Sequence, residues 1–328
     1  MSEESKKVLA IDVGFGDVKV GYLVDGKVKD LFKDVNIIYK LPSDKDSELK
    51  YTGTEKNIVK IKDEYYMLGG SALNLPDTNL VTVDNFDALK AVTPILVNRY
   101  LAKYHDQVDI LVVTISSAFL KQSGDYKKYI SEEVPFPIDH ILVVPQGPSA
   151  KVGLDNVGLD VEDPSHKESF QSYLGVDIGF NTIDVFTCID GSVLPADVTG
   201  YPGDGIIRIA NKIHDYIKDT YKKDFAISRV KQIIYDGKFT SRSETIDVKD
   251  VIQKEVSDYI KWLHEFLEEK YGNVMDTIAN IVIFGGGAEV IRSQADLWST
   301  MYSRDFVKLP VNSSEFYNTI GALFIGNR

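Results

Sequence analysis

The chain has 328 residues, 44% hydrophobic and 26% charged, which is a globular composition with room for about two domains and no need of a metal or disulfide staple. A formal net charge of −12 repels nucleic-acid phosphates and argues against direct DNA or RNA binding, yet it leaves a nucleotide possible, because a local loop can present backbone N–H groups whatever the global charge. Cys188, the one cysteine, lies in an apolar run and reads as a small buried hydrophobe of a reducing cytoplasm; Met1–Lys7 is too polar for a signal peptide, and no run reaches the ~18 apolar residues of a membrane span.

In chain order, Val8–Asp12 and Val18–Leu23 are β-branched runs joined by Val13–Asp17. Asp25-Gly26 is a hairpin signal before a third strand at Val28–Phe32, so the chain is expected to open on an antiparallel meander. A dinucleotide-binding unit would instead enter a helix straight after its glycine turn. Asn36–Thr82 is mixed and polar, with a strand pair at Ile58–Lys62 and Glu64–Leu68, and reads as a small inserted subdomain. Helical spacing runs through Phe86–Tyr104. Asp109–Thr114 reads as a buried strand, Tyr126–Ile130 as a helix, Ile141–Val144 as a strand, and Ser149–Leu154 as a helical turn or two. The acidic, proline-bearing stretch Asp155–Ser172 is the candidate domain boundary.

After it the opening repeats itself. "LGVDIGFNTIDVFTCIDG" (Leu174–Gly191) restates "LAIDVGFGDVKVGYLVDG" (Leu9–Gly26) as strand, Asp-x-Gly-Phe, strand, Asp-Gly. Ile206–Tyr221 and Val248–Tyr271 then read as helices, Ile281–Phe284 as a strand feeding Gly285-Gly286-Gly287, and Ile320–Ile325 as the last helix. The duplication is one of architecture as well as motif. It predicts an α/β chain of two similar domains. The first, 1–160, carries an inserted subdomain near 34–83, and the second, 173–328, carries an inserted helical subdomain near 205–272. The last helix is expected near the hinge, and a ligand cleft between the two domains.

A glycine-rich turn between two strands exposes N–H groups in a nest suited to phosphate oxygens. In the first turn Gly14 and Gly16 allow close approach, Lys19 can bring its ammonium to a phosphate, and Asp12 can hold Mg²⁺ through waters. In the second, Asp177 and Gly179 repeat Asp12 and Gly14. Asn181 replaces Gly16 and tolerates positive φ, Thr182 offers a hydroxyl, and Asp184 adds a second carboxylate. Either turn alone is ordinary strand punctuation. Two copies, with a triple glycine after a buried strand and a helix start at Ala288–Ile291, point to a nucleotide site.

"DVGFGDVK" (12–19) resembles the first phosphate loop of the actin, Hsp70 and sugar-kinase ATPase superfamily, and "DIGFNTID" (177–184) its second. "VVPQGPSA" (143–150), "IVIFGGGAEVI" (281–291) and "NTIGALFIG" (318–326) are similar to its first connecting segment, adenosine loop and second connecting helix, in that order along nearly the whole chain. With so short a chain, the first motif looks most like the ParM-type actin-like proteins of bacteria and archaea. The resemblance implies two ribonuclease H-like domains around ATP or GTP with Mg²⁺. Gly14, Phe15, Gly16, Asp17 and Lys19 would line the phosphates, with Asp12 and Asp177 at the metal, Asp177 also as a catalytic residue, and Gly179, Phe180, Asn181, Thr182 and Asp184 in the other half of the clamp. Gln146 would orient the attacking water. Gly203, Asp204 and Gly205 would complete the cleft, Lys231 would reach base or ribose, and Gly285, Gly286 and Gly287 would flank the adenosine. Asn181 and the two loop phenylalanines depart from the actin pattern.

The expected function is a cytoplasmic NTPase that stacks head to tail into filaments and moves plasmid or phage DNA through a DNA-binding adaptor. A small-molecule kinase is the alternative, but it needs a carboxylate base. Gln146 cannot serve as one, and Asp17 is the obvious candidate unless it is only a turn residue. An Hsp70-like regulatory ATPase is expected to carry a substrate-binding domain beyond the last helix. A scaffold that binds nucleotide without hydrolysing it has no use for Gln146.

Overall fold

A computed structural model describes residues 6–42, 57–75, 77–104, 108–158, 171–302, 306–309 and 314–328. Most of the candidate boundary stretch and part of the small insertion lie outside these residues. The chain divides into two compact units: Met1–Ile115 with Lys121–Val144 and Ala322–Arg328, and Ser116–Leu120 with Pro145–Gly321.

The first unit opens on the expected meander of β1 (Lys7–Val13), β2 (Asp17–Val24) and β3 (Lys27–Val35). Asp25 and Gly26 both take positive φ, as a two-residue hairpin turn requires. After β4 (Ile38–Lys40), β5 (Ile58–Ile61), β6 (Glu64–Leu68) and α1 (Phe86–Tyr104) come β7 (Ile110–Ile115), α2 (Ser123–Glu133) and β8 (Ile141–Pro145). The main sheet has the order β3-β2-β1-β7-β8, with β7 parallel to β1. The insertion forms its own sheet, β4-β6-β5, around Ile37, Tyr39, Leu41, Tyr65 and Ala72.

The second unit adds α3 (Pro148–Val157), β9 (Tyr173–Ile178), β10 (Thr182–Ile189), β11 (Ser192–Val193), β12 (Thr199–Pro202), α4 (Ile207–Tyr221) and α5 (Ile227–Asp236). A hairpin, β13 (Lys238–Ser241) and β14 (Glu244–Asp247), interrupts the insertion read as helical. Then follow α6 (Lys249–Met275), β15 (Asn280–Phe284), α7 (Gly286–Arg292), α8 (Ala295–Met301), β16 (Val307–Lys308) and α9 (Tyr317–Gly326). Its sheet runs β11-β10-β9-β15-β16, with β12 also on β10 and with β15 parallel to β9. Both main sheets therefore share one plan: an antiparallel pair joined by the glycine turn, and a parallel strand added beside the first member.

Side chains alternate faces along each strand, so burial on both faces needs two apolar sets. On β9, Leu174, Val176 and Ile178 join the core under α4, α5, α6 and α7, while Tyr173 packs with Phe186, Cys188, Val282 and Phe284 against Ala150 and Leu154 of α3 and Tyr317 of α9. In the first unit, Val8, Ala10, Leu23 and Val112 pack against Ala322 and Leu323 at the other end of α9. Cys188 is fully buried, as its apolar setting implies.

Helices α3 and α9 touch backbone to backbone. A Cβ on Gly321 would overlap the Ser149 carbonyl, and one on Gly153 the Tyr317 carbonyl. Helix propensity alone would make Gly321→Ala stabilising by about 1 kcal/mol. Overpacking of a close contact costs about 1–3 kcal/mol and runs against it. We expect Gly321→Ala to lower stability in urea unfolding; a higher midpoint would show that the crossing has slack.

Candidate functional site

The turn between β1 and β2 closes with the Gly14 N–H donating to the Asp17 carbonyl at 2.9 Å, and the turn between β9 and β10 with the Gly179 N–H donating to the Thr182 carbonyl at 2.8 Å. The repeated sequence therefore builds a repeated turn. None of Gly14, Gly16, Gly179 and Asn181 takes positive φ, so left-handed tolerance is not why Asn181 fits. Close approach is what the first glycine of each turn supplies: a Cβ on Gly14 would lie 3.0 Å from the Asp17 carbonyl oxygen, and one on Gly179 3.2 Å from that of Thr182.

Antiparallel register sets what faces each aspartate. In the first unit the pairs along one face are Val8 with Leu23, Ala10 with Gly21, and Asp12 with Lys19. In the second they are Tyr173 with Cys188, Gly175 with Phe186, and Asp177 with Asp184. Each row is apolar until its last pair, which is charged and buried. The Lys19 ammonium stands 3.6 Å from Asp12, and Thr114 on β7 donates its hydroxyl to Asp12. Where the first unit sets cation against carboxylate, the second sets carboxylate against carboxylate.

Asn36, just past β3, secures the first turn: its side-chain Nδ2 donates to the Gly14 carbonyl at 2.8 Å and its N–H to the Gly16 carbonyl at 3.1 Å. Asp17 is buried beside it, with its backbone carbonyl engaged by the turn. Phe15 is half-buried at the tip of the turn.

In the second unit, segment 203–207 takes up the carbonyls of the turn. The Gly203 and Gly205 N–H groups donate to the Asn181 carbonyl, that of Ile206 to Gly179, and that of Ile207 to Phe180. The carbonyls of Gly179, Phe180 and Asn181 are thereby satisfied. Gly205 has to be glycine, because a Cβ there would meet the Gly179 and Phe180 carbonyls. Asp204 pairs with Arg208 at 2.8 Å, and its carbonyl accepts from the Tyr259 hydroxyl, so it secures the start of α4. Lys231 is buried, with its ammonium 5.9 Å from the Phe180 ring centre, so it lies against the turn between β9 and β10. The first member of the triple glycine, Gly285, has φ +85°, and a Cβ on it would overlap the Asp177 carboxylate; one on Gly287 would overlap Ile178. The glycines let β15 and α7 close on the end of β9, with Gly286 half-buried at the start of α7.

Two buried carboxylates side by side need hydrogen-bond donors. Asp184 receives the Ser116 hydroxyl at 2.9 Å and the Ser117 N–H at 2.6 Å, while the Thr182 hydroxyl reaches its other oxygen at 3.4 Å. Asp177 receives the side-chain Nδ2 of Asn318, whose Oδ1 accepts the Gly147 N–H at 3.0 Å. The Ser117 hydroxyl donates to the Gln146 carbonyl at 3.0 Å. Ser116, Ser117, Asn36 and Asn318 escape sequence reasoning. Only Asn318 lay inside a quoted motif, and small polar residues carry no periodic signal.

Burial first, and the Asp177 charge second, push Asp184 up to about 7 against the donors from Ser116 and Ser117. Below pH 4 the folded and unfolded chains both hold this proton, so the group contributes nothing. Between about 4 and 7 the unfolded chain releases it and the folded chain keeps it, so folded stability falls until the pH passes 7. Asp184→Asn removes this loss. The variant should gain on the original chain from pH 4 to 7 and level off there at about 2–4 kcal/mol, read by urea unfolding across that range. A pH-independent difference would show that Asp184 stays ionised.

The profile of the archaeal actin homologue MreB-like C-terminal family matches residues 175–296. No curated protein sequence matches. A 15-stranded ParM filament from Clostridium botulinum is 20% identical at a TM-score of 0.73, over 98% of this chain and 99% of that one. The native archaeal actin homologue Ta0583 is 16% identical at 0.71, again over 98% and 99%. The same homologue solved as a complex with ADP is 17% identical at 0.70, over 97% and 98%. Over nearly its whole length this chain has the actin-like fold.

Proposed function

We propose that the chain binds a nucleoside triphosphate through its two turns, hydrolyses it, and assembles into filaments governed by that hydrolysis. The observation that carries the reading is the repeated turn with a buried aspartate at its root, together with the bridging of the Gln146–Gly147 peptide to Asp184 through Ser117 and to Asp177 through Asn318. ATP and GTP are both candidates. In this reading Lys19 and the turn amides hold phosphate oxygens, and the Gln146 amide donates to and accepts from one water, placing it in line.

Among the described residues no group of three or more His, Cys, Asp or Glu side chains could hold a metal ion. Mg²⁺ prefers one or two carboxylates with waters and phosphate oxygens, so Asp12 and Asp177 fit it as single carboxylates. When bound, the ion would neutralise phosphate charge. The solved relatives include a ParM filament and an ADP complex, which supports self-association and nucleotide binding for this chain. We extend the reading to DNA segregation through an adaptor, since a −12 surface repels DNA itself.

Lys19→Ala should weaken nucleotide binding roughly ten- to a hundredfold, the size of one charge-assisted contact. Unchanged affinity by calorimetry would remove Lys19 from the site. Gln146→Ala should bind nucleotide normally and lose about two orders of magnitude in turnover. Its filaments should form and then persist. Phosphate release and light scattering in one sample check this: normal release removes the catalytic role, and slow release with normal disassembly breaks the link between hydrolysis and filament turnover.

A further inference from the structure

One peptide plane carries both the Gln146 carbonyl and the Gly147 N–H, and each is held by a polar side chain. The Ser117 hydroxyl binds the carbonyl, and the Ser117 N–H binds Asp184. Asn318 Oδ1 binds the N–H, and Asn318 Nδ2 binds Asp177. The plane is therefore suspended between the two carboxylates by one bridge at each end. A planar peptide gripped at both ends cannot rotate, and its setting fixes where the Gln146 side chain starts.

We propose that Asn318 is the positioning residue that holds Gln146 in register with Asp177; this rests on the hydrolytic reading above. The orientation of its amide follows from its partners. A backbone N–H can only donate and a carboxylate can only accept, so a flipped amide would lose both bonds. Asn318 is 5% exposed, second in α9, and held by the packing of α9 on α3. Gly147 has φ +79°, and a Cβ there would come 3.1 Å from the Phe186 ring, so the loop in this setting calls for glycine. Without the Asn318 bridge the plane keeps its Ser117 end and can swing about it. A misplacement of about 1 Å can cost on the order of a hundredfold in rate.

The test is a double-mutant cycle on nucleotide turnover with the full chain. Asn318→Ala should slow phosphate release by about tenfold or more, with affinity for a non-hydrolysable ATP analogue held within about threefold. In a Gln146→Ala background the same change should cost less than about threefold, because the group it positions is gone. Asn318→Ser serves the same cycle if the alanine variant does not fold. Equal losses in both backgrounds, or a normal rate for Asn318→Ala, would overturn the role of Asn318 while leaving hydrolysis by Gln146 in place. No turnover by the unaltered chain, or no effect of Gln146→Ala, would instead overturn the hydrolytic reading and this inference with it.

Discussion

Asp177 and Asp184 stand directly opposite each other on neighbouring strands, buried, with like charge, and much of the second unit is arranged around that fact. A pair of this kind is unfavourable in a low-dielectric interior unless donors surround it or one member keeps its proton. Both responses are present. Asp184 is pushed up toward neutrality, and Ser116, Ser117 and Asn318 bring hydroxyl, backbone and amide donors to the two carboxylates. The first unit meets the same register with a cation, Lys19, and the Thr114 hydroxyl joins the pair.

The donors that make the acidic pair tolerable also hold the segment carrying Gln146. A serine with both a hydroxyl and an N–H can serve a carboxylate and a carbonyl at once, and an asparagine amide can serve a carboxylate and an N–H. Stabilising the buried charge and orienting the loop are thus one set of hydrogen bonds. Glycines supply the room. A Cβ on Gly175 would overlap the Phe186 ring beside the pair, one on Gly285 the Asp177 carboxylate, and one on Gly205 the carbonyls of the turn.

In the first unit the comparable economy belongs to Asn36. It satisfies two carbonyls of the turn between β1 and β2 and is followed at once by Ile37, whose carbonyl accepts the Gly69 N–H at the end of β6. The small sheet β4-β6-β5 is thereby joined to the turn through two consecutive residues.

The sequence by itself determined whatever depends on neighbours within a few positions. Alternating β-branched runs and Asp-Gly turns made both meanders legible, helical spacing marked α1, α4 and α6, and the repeated Asp-x-Gly-Phe marked both turns and the aspartate at the root of each. It left the β13–β14 hairpin and α5 unread, since their short runs carry weak periodicity. Only tertiary structure decided what the marked residues face. The pairing of Asp12 with Lys19 and of Asp177 with Asp184 follows from a register of seven residues that a turn sets only once the strands have paired. The partners from Thr114, Ser116, Ser117 and Asn318 arrive across 67 to 141 positions of chain. A hydrogen bond between small polar side chains so far apart leaves no local pattern, because any serine or asparagine at a loop or helix start would look the same until packing selects the one that reaches the buried charge.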